Sequence, residues 1–313
     1  MRVVFMGTGD IAIPSFRLLV SREATEVVGL FTQPDRPFGR KLEMHPPEIK
    51  KVAIAAGVPV LQPERLKDRE AMADLRGLRP ELIVVMAYGQ ILRRAVLELP
   101  PLGCLNLHAS LLPRHRGASP IQAAIRAGDD ETGITVMHVA PELDAGDIIL
   151  AKPLPILSDE TGGTLHDRLA ELAPEALAEA LDRIEAGTAE RISQDASRAT
   201  SLGKLEREDG ALDWSLAAAD LERWIRAFDP WPGTYAAYGG LKLKIFPPVR
   251  IEDGSGEPGT VLEASRDRLV VACGQGALAL SAVQAEGRKR MEVRAFLAGQ
   301  HDGFRPGAKL DAG

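Results

Sequence analysis

Val3-Val4-Phe5-Met6-Gly7-Thr8-Gly9-Asp10-Ile11-Ala12 sets the architecture of the first half of the chain. Four consecutive apolar residues suit a strand buried on both faces, where alternation with polar residues is lost. The glycines turn the chain, and a helix is expected from near Ile13, with Pro14 tolerated in its first turn. The same texture returns at residues 27–31, 82–86, 104–108 and 134–139, separated by helical patterns at 47–56, 64–77, 90–98 and 118–127. Strands alternating with helices predict an α/β fold: a Rossmann-like, mostly parallel sheet with helices on both faces. A longer amphipathic helix over 164–186 ends at Gly187, which suits a left-handed cap.

Past residue 190 the texture changes. Residues 191–208 are polar and weakly periodic, as a linker would be, and a helix follows at 217–228. After Pro230-Trp231-Pro232-Gly233 come short alternating runs at 234–238, 241–246, 260–264, 269–273 and 278–283. Turn residues at these intervals predict a small OB-like β-barrel. The expected organisation is a catalytic domain over 1–190, a linker over 191–208 and a C-terminal β-barrel domain over 209–313.

The 313 residues are 45% hydrophobic and 26% charged, an ordinary globular composition, and no apolar run approaches the ~20 residues that span a bilayer. Met1 to Met6, with one arginine before Gly7, lacks a secretory pattern. Two distant cysteines, Cys104 and Cys273, have no CxxC spacing, so a reduced, cytoplasmic setting is expected and no metal site is legible. The net charge of −6 and 4% aromatic content argue against a general nucleic-acid-binding module. A monomer is the expected state.

Three groups of residues could carry chemistry. Gly7-Thr8-Gly9-Asp10-Ile11-Ala12 fits G-x-G-x-x-G/A between a strand and a helix, the geometry of a dinucleotide site. The acidic residue such a site needs after the second strand is absent, since Phe31-Thr32-Gln33 stands there. The alternative is a glycine turn that only lets the strand enter its helix.

Asn106 and His108 end a buried strand and share one face about 6–7 Å apart, while Leu107 points the other way. Ligands in open α/β sheets gather at the carboxyl ends of strands. A carboxamide beside an imidazole can hold an oxyanion and move protons, although such a pair can also be purely structural. Asp144 follows the next strand and would lie on the same rim, within reach of His108. A carboxylate on one imidazole nitrogen sets the tautomer. Asp147 reads as a turn or capping residue. Arg114-His115-Arg116 could bind an anion, or Arg116 could hold its own loop.

Leu105-Asn106-Leu107-His108-Ala109-Ser110-Leu111-Leu112-Pro113-Arg114-His115-Arg116-Gly117, with Leu143-Asp144-Ala145-Gly146-Asp147, resembles the signature of the folate-dependent formyltransferases. Residues 31–37, 204–214, 227–234 and 303–307 are similar to landmarks of the family's tRNA-directed branch, so the resemblance covers essentially the whole chain. It implies formyl transfer from 10-formyltetrahydrofolate to the amino group of methionine on an initiator tRNA. The catalytic roles would fall on Asn106, His108 and Asp144. It further implies donor binding by Ser110, Leu111, Leu112 and Pro113 together with Met86, Tyr88, Gln90 and Ile91. Transfer RNA would meet Arg40, Lys41 and the small barrel. The loop departs from the family pattern: Gly39-Arg40-Lys41-Leu42-Glu43 lacks the further glycine and basic residue usual after the arginine. No metal is called for, because the acyl carbon is already electrophilic. Two relatives of this chemistry would use the same three residues, a formyltransferase acting on an amino sugar nucleotide and a 10-formyltetrahydrofolate hydrolase. An NAD-dependent oxidoreductase built on Gly7 to Ala12 is the alternative from another class.

Overall fold

The computed structural model describes residues 1–38, 43–299 and 304–312, so the expected tRNA contacts Arg40 and Lys41 lie outside the described residues. The chain divides into two units: residues 1–120, 131–155 and 166–201 form the first, and residues 121–130, 156–165 and 202–313 the second.

The first unit is built on β1 (Arg2–Gly7), β2 (Glu26–Phe31), a β3–β4 hairpin (Arg36–Phe38 and Glu43–His45), β5 (Val60–Leu61), β6 (Leu82–Met86), β7 (Cys104–His108), β8 (Glu131–His138) and β9 (Ile148–Pro155). The sheet runs β5-β2-β1-β6-β7-β8-β9, parallel from β5 to β7 and antiparallel through β8 and β9. Helices α1 (Ile13–Ser21), α2 (Glu48–Ala55), α3 (Arg69–Gly77) and α4 (Arg94–Leu97) fill the crossovers. On one face Val4, Met6, Ile83 and Val85 pack with Met72 and Leu75 of α3. Phe5 alternates to the other face and meets Phe16 of α1 edge-to-face at 5.5 Å. Burial on both faces is the reason these strands read as unbroken apolar runs.

The local sequence pattern overstates one helix and is silent on one strand. Of the helical pattern at 90–98, only Arg94–Leu97 is helical, because the segment before it is engaged in loop contacts described below. Strand β9 is not legible in Ile148–Pro155 because Pro153 and Pro155 interrupt the pattern. It forms the sheet edge, where a missing N–H need not break a ladder.

Helix α5 (Pro120–Ala127) and the 24-residue α6 (Gly162–Glu185) follow. Helix α6 ends where Gly187, at φ 67°, lets the amide of Thr188 return to the carbonyl of Arg183 at 2.8 Å.

In the second unit α7 (Ala218–Ala227) precedes β10 (Thr234–Tyr238), β11 (Leu241–Glu252), β12 (Val261–Ser265), β13 (Arg268–Ala272), β14 (Ala277–Ala285), β15 (Met291–Glu292), α8 (Val293–Ala298) and β16 (Asp311–Ala312). The antiparallel order is β12-β13-β14-β11-β10-β16, with β15 beside β14. Residues 307–312 touch both edges: Ala312 pairs with Ala236 of β10, while the Val261 amide of β12 donates to the Ala308 carbonyl. That return closes the sheet and protects both edges. Leu221 and Ile225 of α7 join Trp214, Leu243, Ile245, Leu278 and Phe296 in its core.

Candidate active site

Strand β7 supplies the centre. Asn106 registers with Val85 on one side and Met137 on the other, and His108 registers with Thr135. By alternation Asn106 and His108 share a face, with Asn106 half-buried and His108 5% exposed.

His108 is held at one ring nitrogen and faced by a carboxylate at the other. Nε2 lies 2.8 Å from the carbonyl oxygen of His115, which can only accept, so Nε2 carries a proton. Nδ1 faces Asp144 Oδ2 at 3.7 Å, too far for a hydrogen bond and close enough for an ion pair. The same carboxylate oxygen accepts the Gly117 amide at 2.8 Å. The separation at Nδ1 leaves a proton-exchanging edge between imidazole and carboxylate that a third atom can bridge.

Asp144 reaches this position by a route other than the expected one. Strand β8 runs antiparallel to β7, with His138 opposite Leu105, so its carboxyl end lies at the far end of β7 from His108. The loop between β8 and β9 folds back across the sheet face instead. Gly146 permits this, because a Cβ there would collide with the carbonyl oxygen of His138. Asp147 holds the loop, accepting from Ser193 through its carboxylate and from the His138 amide through its carbonyl.

Non-glycine residues in the left-handed region bound the site: Ala87 (φ 50°), His115 (58°) and Asp144 (49°). Such conformations cost about 1–2 kcal/mol each and persist where surrounding contacts enforce them.

The expected donor-binding residues do not all point to this centre. Ser110 is fully buried and its hydroxyl donates to the Arg114 carbonyl at 2.7 Å. Thr135 Oγ1 donates to the Ser110 carbonyl at 2.6 Å and accepts the Leu112 amide at 3.2 Å, which pins the turn that ends in Leu112 and Pro113. The side chain of Leu111 packs beside Gly133. Met86 is buried on the sheet face opposite Asn106, since it follows Val85 by one residue. Ala87's positive φ breaks the alternation and sends Tyr88 into the core with Ile83 and Val85. There burial pushes its phenol above the usual tyrosine range, and Tyr88 Oη finds no hydrogen-bond partner. The Gln90 amide is engaged by the neighbouring loop, accepting from the Leu66 amide at 2.8 Å and donating to the Pro63 carbonyl at 3.2 Å. Ile91 stands 84% exposed, as does Leu143, at 67%, beside Asp144.

Gly7-Thr8-Gly9 serves as a turn. The amides of Thr8 and Gly9 both approach the Ala87 carbonyl, at 3.2 and 3.4 Å, so they are not free to receive a pyrophosphate.

Two functional candidates had no signal in the sequence, because both lie in the segment expected to be a linker. Gln194 Oε1 accepts from Arg116 Nη2 at 2.7 Å, while its Nε2 donates to the carbonyls of Asp144 at 2.9 Å and Gly146 at 2.8 Å. Thr200 Oγ1 accepts the His115 amide at 2.9 Å, and the Thr200 carbonyl accepts the Arg116 amide at 2.8 Å. Ile192 exchanges two backbone hydrogen bonds with Ile148. Residues 192–201 are therefore bound to the first unit, and Arg116 holds its loop in place. Among the described residues no group of His, Cys, Asp and Glu side chains could hold a metal ion, and no helix is long and apolar enough to cross a membrane.

Strand β7 presents an imidazole and a carboxamide on one face, and the β8–β9 loop brings a carboxylate to the imidazole, a set of groups able to stabilise charge and move a proton. Residues 1–181 match the formyl transferase family and residues 204–301 match the formyl transferase C-terminal domain; the chain belongs to this family of formyl-transferring enzymes. It is 52% identical to the methionyl-tRNA formyltransferase of Akkermansia muciniphila, over 96% of each chain. It is 45% identical to that of Marinobacter nauticus, over 99% of this chain and all of the relative. Among solved structures, a methionyl-tRNA formyltransferase from Clostridium thermocellum superposes with TM-score 0.57 at 16% identity, covering 93% of this chain and 99% of that one. HypX from Aquifex aeolicus, in complex with tetrahydrofolic acid, gives 0.62 at 19% identity over 98% of this chain, which spans about half the length of HypX.

Proposed function

We infer that the protein transfers the formyl group of 10-formyltetrahydrofolate to the α-amino group of methionine on initiator tRNA, in the cytoplasm, as a step of translation initiation. Near-full-length identity of 44–52% to curated methionyl-tRNA formyltransferases supports this acceptor. The observation that carries the chemistry is the 3.7 Å approach of Asp144 to Nδ1 of an imidazole whose other nitrogen is already fixed.

The donor supplies an electrophilic formyl carbon. Attack by a neutral amine forms the new carbon–nitrogen bond, breaks the old one, places negative charge on the formyl oxygen in passing and moves one proton from the attacking to the departing nitrogen. Asn106, half-buried on the face it shares with His108, offers two N–H donors to that oxygen. With Nε2 directed to the His115 carbonyl, the free edge of His108 is Nδ1. The proton moves there, between imidazole and Asp144, directly or through water. In this reading Asn106 carries the oxyanion, and His108 with Asp144 carries the proton. Exposed Ile91 and Leu143 fit the donor's flat ring, which apolar side chains can cover. The buried Ser110 hydroxyl holds the surrounding backbone, and the Tyr88 side chain packs in the core. Arg40, Lys41 and the C-terminal barrel over 209–313 are the proposed contacts with tRNA.

Incubation of 10-formyltetrahydrofolate with methionyl initiator tRNA, an amino sugar nucleotide or water alone tests the acceptor. Formyl-methionyl-tRNA is the expected product. Formylated sugar, or formate release at the same rate without an acceptor, would replace the tRNA reading.

A further inference from the structure

His108 owes the placement of both its ring nitrogens to one short segment that lies far from it in sequence. On the Nε2 side, the acceptor is the His115 carbonyl, and His115 is held by Thr200: its amide donates to Thr200 Oγ1 at 2.9 Å. The same threonine's carbonyl takes the amide of Arg116 at 2.8 Å. On the Nδ1 side stands Asp144, and its backbone is held by Gln194. Both N–H bonds of that carboxamide are used, one on the Asp144 carbonyl and one on the Gly146 carbonyl. Its oxygen receives the guanidinium of Arg116, so one amide ties the Asp144 loop to the loop of His115 and Arg116. Asp144 and His115 are each at positive φ, a region that non-glycine residues adopt uncommonly, Asp and His more readily than most. At both positions the backbone is tied from residues 194 and 200 by the hydrogen bonds above.

We propose that Gln194 and Thr200 are positioning residues for formyl transfer, setting the tautomer and the carboxylate partner of His108 from opposite sides. Neither touches the imidazole or the reacting atoms. Gln194 fixes where the Asp144 carboxylate stands relative to Nδ1. Thr200 fixes the carbonyl that keeps the proton on Nε2. The assignment rests on the formyl-transfer reading of the site and adds to it the residues that hold the proton relay in register.

The test compares full-length wild type with Gln194→Glu, Thr200→Val, Thr200→Ser and Asp144→Asn. Gln194→Glu keeps shape and the acceptor for Arg116 but turns an acceptor toward two carbonyls. Thr200→Val removes the oxygen that receives the His115 amide, and Thr200→Ser keeps it. Folding is checked by circular dichroism and thermal melting. Formyl transfer to methionyl initiator tRNA is followed across pH, and nitrogen-15 NMR reads the His108 ring, assigned by its loss in His108→Gln. The expected result is a kcat lowered about tenfold or more in Gln194→Glu and Thr200→Val, corresponding to about 1.4 kcal/mol. KM for the folate stays within about twofold in both. The pH profile is displaced and the His108 nitrogen signals are shifted, and Thr200→Ser restores profile and signals. Should Gln194→Glu fail to fold, the Thr200 pair carries the test. Wild-type pH profile and wild-type nitrogen signals in Gln194→Glu and Thr200→Val, whatever the change in kcat, would overturn the proposal. Full turnover in Asp144→Asn would instead sink the underlying reading of the site.

Discussion

At the scale of single residues, the site is a set of hydrogen-bonding groups with few alternatives. Removing one donor to a developing oxyanion costs about 10²–10³-fold in rate. Asn106→Ala should therefore lower kcat by that factor with an unchanged thermal melt, because its side chain is only half-buried. His108→Ala should lose at least as much. Steady-state rates on purified variants check both, and near-normal turnover would remove either residue from the mechanism. Thr135 is the corresponding structural case. Fully buried, its hydroxyl serves the Ser110 carbonyl and the Leu112 amide together. Thr135→Val strands both groups at about 1–3 kcal/mol for a buried polar group left unpaired. A urea midpoint lowered accordingly is expected, whereas Thr135→Ser should keep most of the wild-type stability.

Among the elements, the loop between β8 and β9 carries the most consequence. Gly146→Ala puts a methyl group against the backbone carbonyl of His138, which cannot move without disturbing the β8–β9 hairpin. Formyl transfer is expected to fall more than about tenfold while the chain stays folded, a loss of about 1.4 kcal/mol in transition-state stabilisation for each factor of ten. Unchanged activity would mean that the loop can deliver Asp144 by another path. The segment after β2 is tied down electrostatically. Lys50 of α2 lies 2.8 Å from Asp35, and Gln62 donates to the same carboxylate at 2.7 Å. The Lys50 and Gln62 contacts hold the Asp35 carboxyl below its usual 3.8. A carboxyl lowered in the folded state stabilises the fold above its ordinary value and ceases to do so as pH falls through the lowered one. Wild type should therefore exceed Lys50→Met in denaturation midpoint at neutral pH, and the difference should vanish in acid. A pH-independent difference would show that packing of the lysine stem, not its charge, accounts for the effect.

Over the whole molecule, each unit contains one buried thiol. Burial raises Cys104 to about 12 and Cys273 to about 11. Since the thiolate is the reactive form, both should label with a disulfide reagent at least about 10²-fold more slowly in the native protein than in the unfolded chain. Mass spectrometry of the labelled peptides then reports the opening of each unit separately. Rapid native labelling of either thiol would contradict the packing around it.

Much of this was legible from local pattern. The runs at 82–86 and 104–108 coincide with β6 and β7, and β10, β12, β13 and β14 fall within two residues of their expected bounds, whereas β11 runs on to Glu252 and the short β15 and β16 carry no legible pattern. Burial of a strand is written into its own side chains, since apolar periodicity is a property of consecutive residues. Asn106, His108 and Asp144 stand out by residue type and spacing, which leave a purely structural reading open, and the family resemblance turns them into catalytic candidates. What consecutive residues do not encode is direction and return. The antiparallel course of β8, the fold-back of its loop, the reversal at Ala87 that buries Tyr88, and the engagement of Gln90 by residues 63–66 all depend on chain segments that meet only after folding. Gln194 and Thr200 are the sharpest instance. Polar residues in a stretch without period carry no information about their partners. Their hydrogen bonds to the Asp144 and His115 loops exist only because the chain after α6 returns beside β9 and the loop that follows β7.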